Sequence, residues 1–455
     1  MSDKALPLVH EFLGGGGMRA GPPGTGVSGR DPVPAAHPTK SGAAAAGDPG
    51  YLACQRAGLL RFAARSRHPS GFGYLDADGV VQASRPVELW ITSRMTHIFA
   101  LGLLAGEAAA PGGPDLAGLA DLVGHGVRSL TADFHDARFG GWFSAVTPQG
   151  PVDAGKQAYG HAFVVLAASS AAASGAPGAH DLLNEALAVQ DGRFWQEGPG
   201  LVVDAWDRTW SQMDPYRGIN ANMHTVEAYL AAGDVTGDER WHARAGRIAA
   251  TVATWAGRNA WRIPEHFDAG WRPLLEHNRD RPAHPFQPYG ATVGHGLEWA
   301  RLLVAVDASL VSPPAGLVEA AVELADRAVA DGWSVDGPPG FVYTTDWDGV
   351  PVVRARMHWV VAEAICTAEA LRRATGQERF VQMRDTWWRF ADEYLVDHVR
   401  GSWHHELDAS NVPSGHTWPG KPDVYHAYQA ALSSVVPTSP SFATALVRGM
   451  WSPDP

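Results

Sequence analysis

The stretch VGHGLEWARLL, residues 293–303, places a histidine between two glycines at the head of an apolar run with helical spacing. On a helix, His295 and Glu298 lie three residues apart and would share one face near the N-terminus. The apolar residues around them recur at the spacing of a buried helix face. The stretch predicts a helix whose first turn faces a cavity while its remaining length packs into a core.

The same arrangement recurs along the chain. In six places a histidine opens, or nearly opens, an apolar helical run, and these histidines stand 63 to 71 residues apart. Each unit has room for two helices and a substantial loop, which is more than the common two-helix solenoid repeats contain. The spacing therefore predicts six helical hairpins whose first helices share a polar opening. The six residues are His97, His161, His224, His295, His358 and His426.

Short loops with hairpin signals precede several of these helices. Asp78-Gly79, Gln149-Gly150 and Asp348-Gly349 lie within alternating apolar residues, the pattern of a β-hairpin turn. The segment GSWHHELD, residues 401–408, looks like a fourth version. These loops are expected to gather beside the histidines at one end of the molecule.

Six helical hairpins favour a closed ring, an all-α (α/α)6 barrel with short β-hairpin loops at its mouth. An open superhelix is the rival, but an open stack normally carries atypical polar repeats at its ends, and none is evident. The catalytic barrel is predicted to span residues 49–440. Residues 1–48, rich in Gly, Ala and Pro, are predicted to be a disordered tail, and residues 441–455 a C-terminal tail.

Composition excludes several classes of partner. The 455-residue chain has a net charge of −12 and no Lys/Arg-rich block, which argues against nucleic acid or an anionic membrane. Cys54 and Cys366 are too few for a disulfide framework, and the apolar runs are too short to span a membrane, so a cytoplasmic location is expected. The sequence is compatible with a monomer or a homo-oligomer.

Four neighbourhoods concentrate side chains suited to chemistry. A carboxylate beside a histidine can orient and support its imidazole, as Glu298 could do for His295. An arginine in an otherwise apolar inner helix needs an anionic partner or a developing oxyanion. The neighbourhoods contain Arg94; Asn220, Asn222, His224 and Glu227; His295 and Glu298; and Lys421, Asp423, Tyr425 and His426.

Two other chemistries stay open from the residues alone. A metal site could use two histidines and a glutamate, but HxxE at a helix start is a common pattern and the cysteine ligands of structural zinc are missing, so no metal is predicted. Glycoside hydrolysis by paired carboxylates is the second rival. Phosphate-cradling glycine loops and the G-x-S-x-G motif are not evident. The candidate acids for hydrolysis are Asp204, Asp207, Asp346 and Asp348.

Six ordered motifs carry a resemblance to a known family. RMTH, NANMHTVEA, EHFD, GHGLEWARLL, HWVVAEA and KPDVYH together resemble the N-acylglucosamine 2-epimerase superfamily of sugar epimerases and isomerases. The resemblance runs from about Tyr51 to about Pro437, and the combination is most similar to the mannose isomerase and sulfoquinovose isomerase branch. That superfamily has an (α/α)6 barrel, in agreement with the fold predicted from the repeat.

The resemblance implies proton transfer on an open-chain monosaccharide, without a metal or another cofactor. It makes His295 and His426 the acid/base pair that forms and collapses a cis-enediolate. It also implies that Glu298 supports His295, that Arg94 stabilises the enediolate oxygens, and that His224 assists ring opening or binds a hydroxyl. Such a role suits imidazole, which titrates near neutral pH. The implied substrate-binding residues are Tyr159, Asn220 and Trp359.

Departures from the family pattern bear on the substrate. The disaccharide epimerases carry a tryptophan before the lysine of the last motif, whereas Gly420 precedes Lys421 here, which argues against a cellobiose-type substrate. Glu406 lies close to the last motif and is predicted to bind substrate, where its charge would favour neutral mannose over a sulfonate. D-Mannose to D-fructose isomerisation is therefore the leading hypothesis. The alternatives are a 2-epimerase of a free or N-acylated aldose, a sulfoquinovose isomerase, an (α/α)6 glycoside hydrolase and a non-catalytic sugar-binding protein.

Overall fold

Helices provide most of the secondary structure in the computed structural model, which describes residues 45–107 and 113–451. Outer helices carry an apolar stripe on one face, as in the helix Leu317–Gly332, where buried residues recur every three or four positions. Inner helices are buried nearly all round, as in Ala158–Ala173. The α-helices of the described ranges are α1 Pro49–Ala63, α2 Leu89–Leu104, α3 Leu116–Thr131, α4 Ala158–Ala173, α5 Ala179–Val189, α6 Ile219–Thr236, α7 Glu239–Arg258, α8 Val293–Ser309, α9 Leu317–Gly332, α10 His358–Thr375, α11 Glu378–Phe390, α12 Tyr425–Ser433 and α13 Phe442–Val447.

The helices form a closed ring. The inner helices α2, α4, α6, α8, α10 and α12 contact one another in chain order, and α12 returns to contact α2. Each of the outer helices α3, α5, α7, α9 and α11 packs on the inner helix that precedes it, and α1 packs on α12. The predicted (α/α)6 barrel is confirmed, and the open superhelix is excluded because the last repeat meets the first.

Short strands connect neighbouring repeats at one end of the barrel. The strand before an inner helix pairs antiparallel with a strand that follows the next outer helix, as β3 does with β4 and β12 with β13. Strand pairs flank the predicted turns at Gln149-Gly150 and Asp348-Gly349, and Leu75 bridges Val81 across the Asp78-Gly79 turn. Gly79 and Gly349 adopt φ of +78° and +87°. The fourth predicted hairpin turns beyond residues 401–408, because Glu406–Leu407 pairs with Pro413–Ser414. The strands are β1 Arg67–His68, β2 Gly71–Phe72, β3 Val87–Glu88, β4 Ala145–Thr147, β5 Gly150–Asp153, β6 Lys156–Gln157, β7 Trp195–Gln196, β8 Leu201–Val202, β9 Ala205–Trp206, β10 Arg217–Gly218, β11 His266–Phe267, β12 Ala291–Thr292, β13 Thr344–Thr345, β14 Pro351–Val353, β15 Arg356–Met357, β16 Glu406–Leu407 and β17 Pro413–Ser414.

Buried ion pairs fasten these loops to the starts of three inner helices. In each, a cation just before the helix meets an aspartate from the turn that follows an outer helix. The cationic side chains are at most 1% exposed, so each pair lies in the protein interior. The pairs are Lys156–Asp136 at 3.1 Å, Arg356–Asp336 at 2.6 Å and Lys421–Asp397 at 2.7 Å.

The structured body differs from the predicted boundaries at its C-terminal end. Helix α13 contacts α2, α4 and α6 and buries Ala443, Ala445 and Leu446, so the body extends past residue 440 into the predicted tail. The predicted N-terminal tail lies outside the described residues as far as residue 44. Among the described residues, none of the helices combines the length and apolar character that a membrane crossing requires.

Candidate active site

The six repeated histidines do not occupy equivalent positions, contrary to the sequence prediction. His97 lies in the middle of α2, whereas His358 is the first residue of α10. His97 contacts Ser170 Oγ through Nδ1 at 2.7 Å, and His161 contacts the Gln157 carbonyl at 2.7 Å. Burial lowers the pKa of His97 to about 4 and that of His161 to about 3. Both imidazoles are therefore neutral structural groups inside the barrel wall.

His295 is held by a carboxylate that does not come from its own helix. Its Nδ1 lies 2.7 Å from Oε2 of Glu265, which immediately precedes β11. The other oxygen of Glu265 accepts a hydrogen bond from the Thr292 backbone N–H at 3.1 Å. Glu298, predicted to support His295, instead lies against His224 and Arg301. The prediction took the wrong partner because Glu298 faces His224 of α6 and Arg301 of its own helix, whereas Glu265 reaches His295 from the loop before β11.

His426 has the same arrangement. Its Nδ1 lies 2.8 Å from Oε1 of Glu363, and Oε2 of that carboxylate accepts a hydrogen bond from Arg301 Nε at 2.9 Å. Burial lowers the pKa of His426, opposed by the bond to Glu363 and reinforced by the charge of Arg94. Burial alone would raise the pKa of Glu363, but Arg301 and His426 outweigh it and lower that pKa. His426 is therefore a neutral imidazole at pH 7, fixed by an ionised carboxylate.

Trp359 lies between these two imidazoles. Its ring centre is 5.5 Å from that of His295 and 5.8 Å from that of His426. The Trp359 side chain is only partly buried, and Tyr343 packs edge-on against it at 6.1 Å. The two carboxylate-supported histidines thus flank one aromatic surface, which suits the apolar face of a sugar.

Arg94 of α2 provides a buried cation in the site. Its guanidinium donates to Tyr159 Oη at 2.9 Å and pairs with Asp423 at 3.3 Å. It also lies 4.5 Å from the Phe163 ring centre, while its Nε has no hydrogen-bond partner among the described residues. Burial lowers the pKa of Arg94, but Tyr159, Asp423 and other neighbours outweigh it and raise the pKa overall. The residue is a permanent cation with unused donor capacity.

A second polar cluster lies among α6, α8 and α10. His224 Nδ1 is 3.8 Å from Glu227 Oε2 and 3.7 Å from Glu298 Oε1. Burial lowers the pKa of His224 to about 4, so this imidazole is neutral. Arg301 lies 3.8 Å from Glu227 and 3.7 Å from Glu298. The predicted ring-opening residue is thus placed between two carboxyl groups.

The remaining predicted binding residues differ in their contacts. The Tyr159 hydroxyl binds Arg94, and its ring lies 5.2 Å from that of His224. Asn220 Oδ1 is buried with no partner in the described part of the chain. Glu406 accepts hydrogen bonds from Ser414 Oγ at 2.7 Å and from two backbone N–H groups of residues 417–418. Its carboxylate therefore holds its own loop, and binding of substrate by Glu406 stays a prediction.

The aspartates proposed for glycoside hydrolysis have other roles. Asp207 and Asp346 accept backbone N–H bonds within their own turns. Asp348 is exposed beside the Gly349 turn. Burial and the nearby Asp214 raise the pKa of Asp204 to about 7. The other three aspartates lie in turns of their own and do not pair with this carboxyl group. These four residues offer no matched acid and nucleophile.

Several site residues escaped prediction although their motifs were recognised. Glu265 belongs to EHFD and Glu363 to HWVVAEA, but neither spacing shows which histidine the carboxylate meets. His405 was also missed, although its ring stacks on His358 at 3.8 Å and its Nε2 binds the Asp423 carbonyl at 3.0 Å. The available signal was the recurrence of one glutamate in four of the six motifs, namely NANMHTVEA, EHFD, GHGLEWARLL and HWVVAEA.

One group of side chains has the spacing of metal ligands. Atoms of His224, Glu227 and Glu298 all lie within 4.8 Å of one another. Arg301, however, stands within 3.8 Å of both carboxyl groups and already supplies a positive charge there. A guanidinium at that distance would repel a divalent cation, so the donor set does not fit a metal centre.

Comparisons with known proteins place this geometry in a family. The model for N-acylglucosamine 2-epimerase matches residues 71–430. A D-mannose isomerase from Thermobifida fusca is 50% identical over 400 residues, covering 87% of this chain and 96% of that protein. A D-mannose isomerase from Pseudomonas cannabina pv. alisalensis is 43% identical over 402 residues, covering 87% and 94%. A solved D-mannose isomerase structure superposes with a TM-score of 0.78 at 27% identity, covering 84% of this chain and 97% of the other.

Proposed function

Since this chain belongs to the N-acylglucosamine 2-epimerase family, we propose that it is an aldose–ketose isomerase that interconverts D-mannose and D-fructose. The observation that carries the proposal is the pair of imidazoles, His295 and His426, each fixed through Nδ1 by its own carboxylate. The two rings flank Trp359, whose aromatic face suits the apolar face of a sugar.

Proton transfer is assigned to the two histidines. Because Nδ1 of each ring faces a carboxylate, Nε2 is the atom left to exchange a proton with the sugar. One imidazole removes the proton at C2 of the open-chain aldose, and the electrons of that C–H bond form a cis-enediolate. Return of that proton to C1, together with transfer of the hydroxyl proton from O2 to O1, gives the C2 carbonyl and C1 hydroxyl of the ketose. Glu265 and Glu363 stabilise the imidazolium that forms on each ring.

The enediolate oxygens need positive charge as they develop, and Arg94 is the residue assigned to that task. Its cation is held in place by Tyr159 and Asp423, so it needs no rearrangement during the reaction. The unpartnered Oδ1 of Asn220 is assigned to a sugar hydroxyl. His224, neutral at pH 7, is assigned to ring opening. The proposed reaction requires no metal.

The test is to incubate the protein with D-mannose in EDTA and to follow both sugars by NMR. Fructose is expected to form, and deuterium from D2O is expected at its C1. Glucose in place of fructose would identify a 2-epimerase, which shares the enediolate but returns the proton to C2 on the other face. No turnover of mannose, lyxose or talose would overturn the isomerase proposal.

Glu265→Gln is expected to lower kcat for mannose by about 10- to 100-fold, because an amide cannot stabilise the imidazolium of His295 as a carboxylate does. The matched control is Glu276→Gln in the same loop, whose side chain is 62% exposed and pairs with Arg279. The control is expected to match the wild type. Equal kcat for the Glu265 variant and the wild type would remove Glu265 from its supporting role.

A further inference from the structure

We propose that Glu298 is a protonated carboxylic acid in the resting enzyme and that it forms, with His224 and Arg301, a binding site for one hydroxyl oxygen. The protonation state concerns the enzyme alone. The use of the site by a sugar hydroxyl rests on the proposed function. This assignment replaces a supporting role for Glu298 toward His295.

Hydrogen-bond donors are unequally distributed among the three buried carboxyl groups of Glu227, Glu298 and Glu363. Glu363 binds His426 and Arg301 Nε. Glu227 accepts a hydrogen bond from the Tyr425 hydroxyl and another from Gln429 Nε2, the second at 3.2 Å. Oε1 of Glu298, in contrast, has no hydrogen-bond partner among the described residues, although the residue is 1% exposed. A buried carboxylate without donors is costly, so the proton resides on the carboxyl that lacks them.

The charges that face Glu298 from the surrounding helices agree with this assignment. Burial and the negative charges of Glu363 and Glu227 raise the pKa of Glu298 well above its usual range, and Arg301 and Arg94 offset them only in part. Contact with His224 and Arg301 holds the pKa of Glu227 below its ordinary value despite burial. When the pKa values of two neighbouring carboxyl groups shift in opposite directions, one group can act as an anion and the other as a neutral hydrogen-bond donor.

Three buried atoms without partners converge at Glu298. They are Glu298 Oε1, His224 Nδ1 and Arg301 Nη2. Oε1 lies 3.7 Å from each of the other two, which is too far for a direct hydrogen bond. An oxygen placed between them could bond to all three, and buried water typically satisfies such groups. The carboxylic acid and guanidinium donate, and a neutral hydroxyl accepts from them while donating to the imidazole.

Infrared difference spectroscopy of the sugar-free enzyme at pH 7 tests the protonation state. Wild type minus Glu298→Gln is expected to show the carbonyl stretch of a protonated carboxyl, which shifts in D2O. The matched control is Glu363→Gln, for which carboxylate bands are expected instead. Carboxylate bands in the Glu298 difference spectrum would overturn the proposal. If Glu298→Gln does not fold, Glu298→Asp replaces it and is expected to displace the same carbonyl band.

Kinetics of the same variants provide a second readout. Glu298→Gln keeps a neutral donor and is expected to lower kcat for mannose less than about threefold, whereas Glu363→Gln should cost about 10- to 100-fold. Equal losses in the two variants would mean that Glu298 acts as an anion. Absence of mannose turnover in the wild type, with the carbonyl stretch present, would overturn the proposed function and leave this inference standing.

The same spectra identify the source of the oxygen. If a sugar hydroxyl enters the site, saturating D-mannose should shift the carbonyl stretch of Glu298, and a mannose lacking that hydroxyl should not. If water occupies the site throughout, mannose should leave the band in place. Either occupant agrees with a site for one hydroxyl oxygen. Loss of the protonated carbonyl band on binding mannose would contradict a neutral Glu298 in the working enzyme.

Discussion

Replacing His426 or His295 with asparagine is expected to lower kcat for D-mannose by roughly 10²- to 10⁴-fold, the contribution of a positioned general acid or base. Asparagine can form hydrogen bonds, but it cannot take up and return a proton near neutral pH. Deuterium incorporation from D2O into the product measures the same step without depending on sugar release. It should fall in parallel with kcat in both variants.

The control for these variants is His398→Asn, whose side chain is 60% exposed on the outer surface. Wild-type exchange in either site variant would remove that histidine from the acid/base pair. The wild-type profile of kcat against pH provides an independent check. Because the pKa of His426 is lowered, this base stays unprotonated at neutral pH, and activity should fall only as the pH drops below about 6.5.

Lys421→Met is expected to lower the free energy of unfolding by about 3 kcal/mol. Removing one partner of a buried ion pair leaves the other charge uncompensated, and Asp397 is only 7% exposed. The cost is expected at the lower end for such pairs because the backbone N–H groups of Val399 and Arg400 still bind Asp397. Urea unfolding followed by circular dichroism measures the change.

Arg279→Met is the matched control for Lys421→Met. Both cations lie 2.7 Å from a carboxylate oxygen, but the side chains of Arg279 and Glu276 are 70% and 62% exposed. The control is expected to cost less than about 1 kcal/mol, as exposed ion pairs do. Equal losses in the two variants would show that burial does not set the strength of the Lys421 pair.

The dependence of the unfolding free energy on pH below about 4 should also report the Lys421–Asp397 pair. Burial raises the pKa of Asp397, but the bond from Lys421 and the backbone donors outweigh it and bring the pKa to about 2, below its ordinary 3.8. A carboxylate with a depressed pKa stabilises the fold above its unfolded pKa. Its contribution is therefore complete above about pH 4 and is lost as the pH falls toward 2. At Lys421, burial lowers the pKa of the ammonium group by more than the bond to Asp397 and the charge of that carboxylate raise it.

The sequence predicted the ring well because its signal is local and repeated. Apolar spacing defines each helix, and a histidine near an inner helix start marks each repeat. The equivalent placement of the six histidines was nevertheless wrong, since His97 lies in the middle of α2 and His358 at the start of α10. A repeat read along the chain gives the order of helices but not the depth at which each side chain enters the barrel.

The sequence by itself determined the fold, the family and the identity of the two imidazoles proposed to move protons. Only the tertiary structure decided which carboxylate meets each of them: Glu265 supports His295, and Glu363 supports His426. Glu298, three residues from His295, looked like the natural partner but lies against His224. Partners across different helices depend on how those helices are rotated and packed against one another. The charge state of a carboxyl depends in turn on burial and on the donors that this packing leaves within its reach.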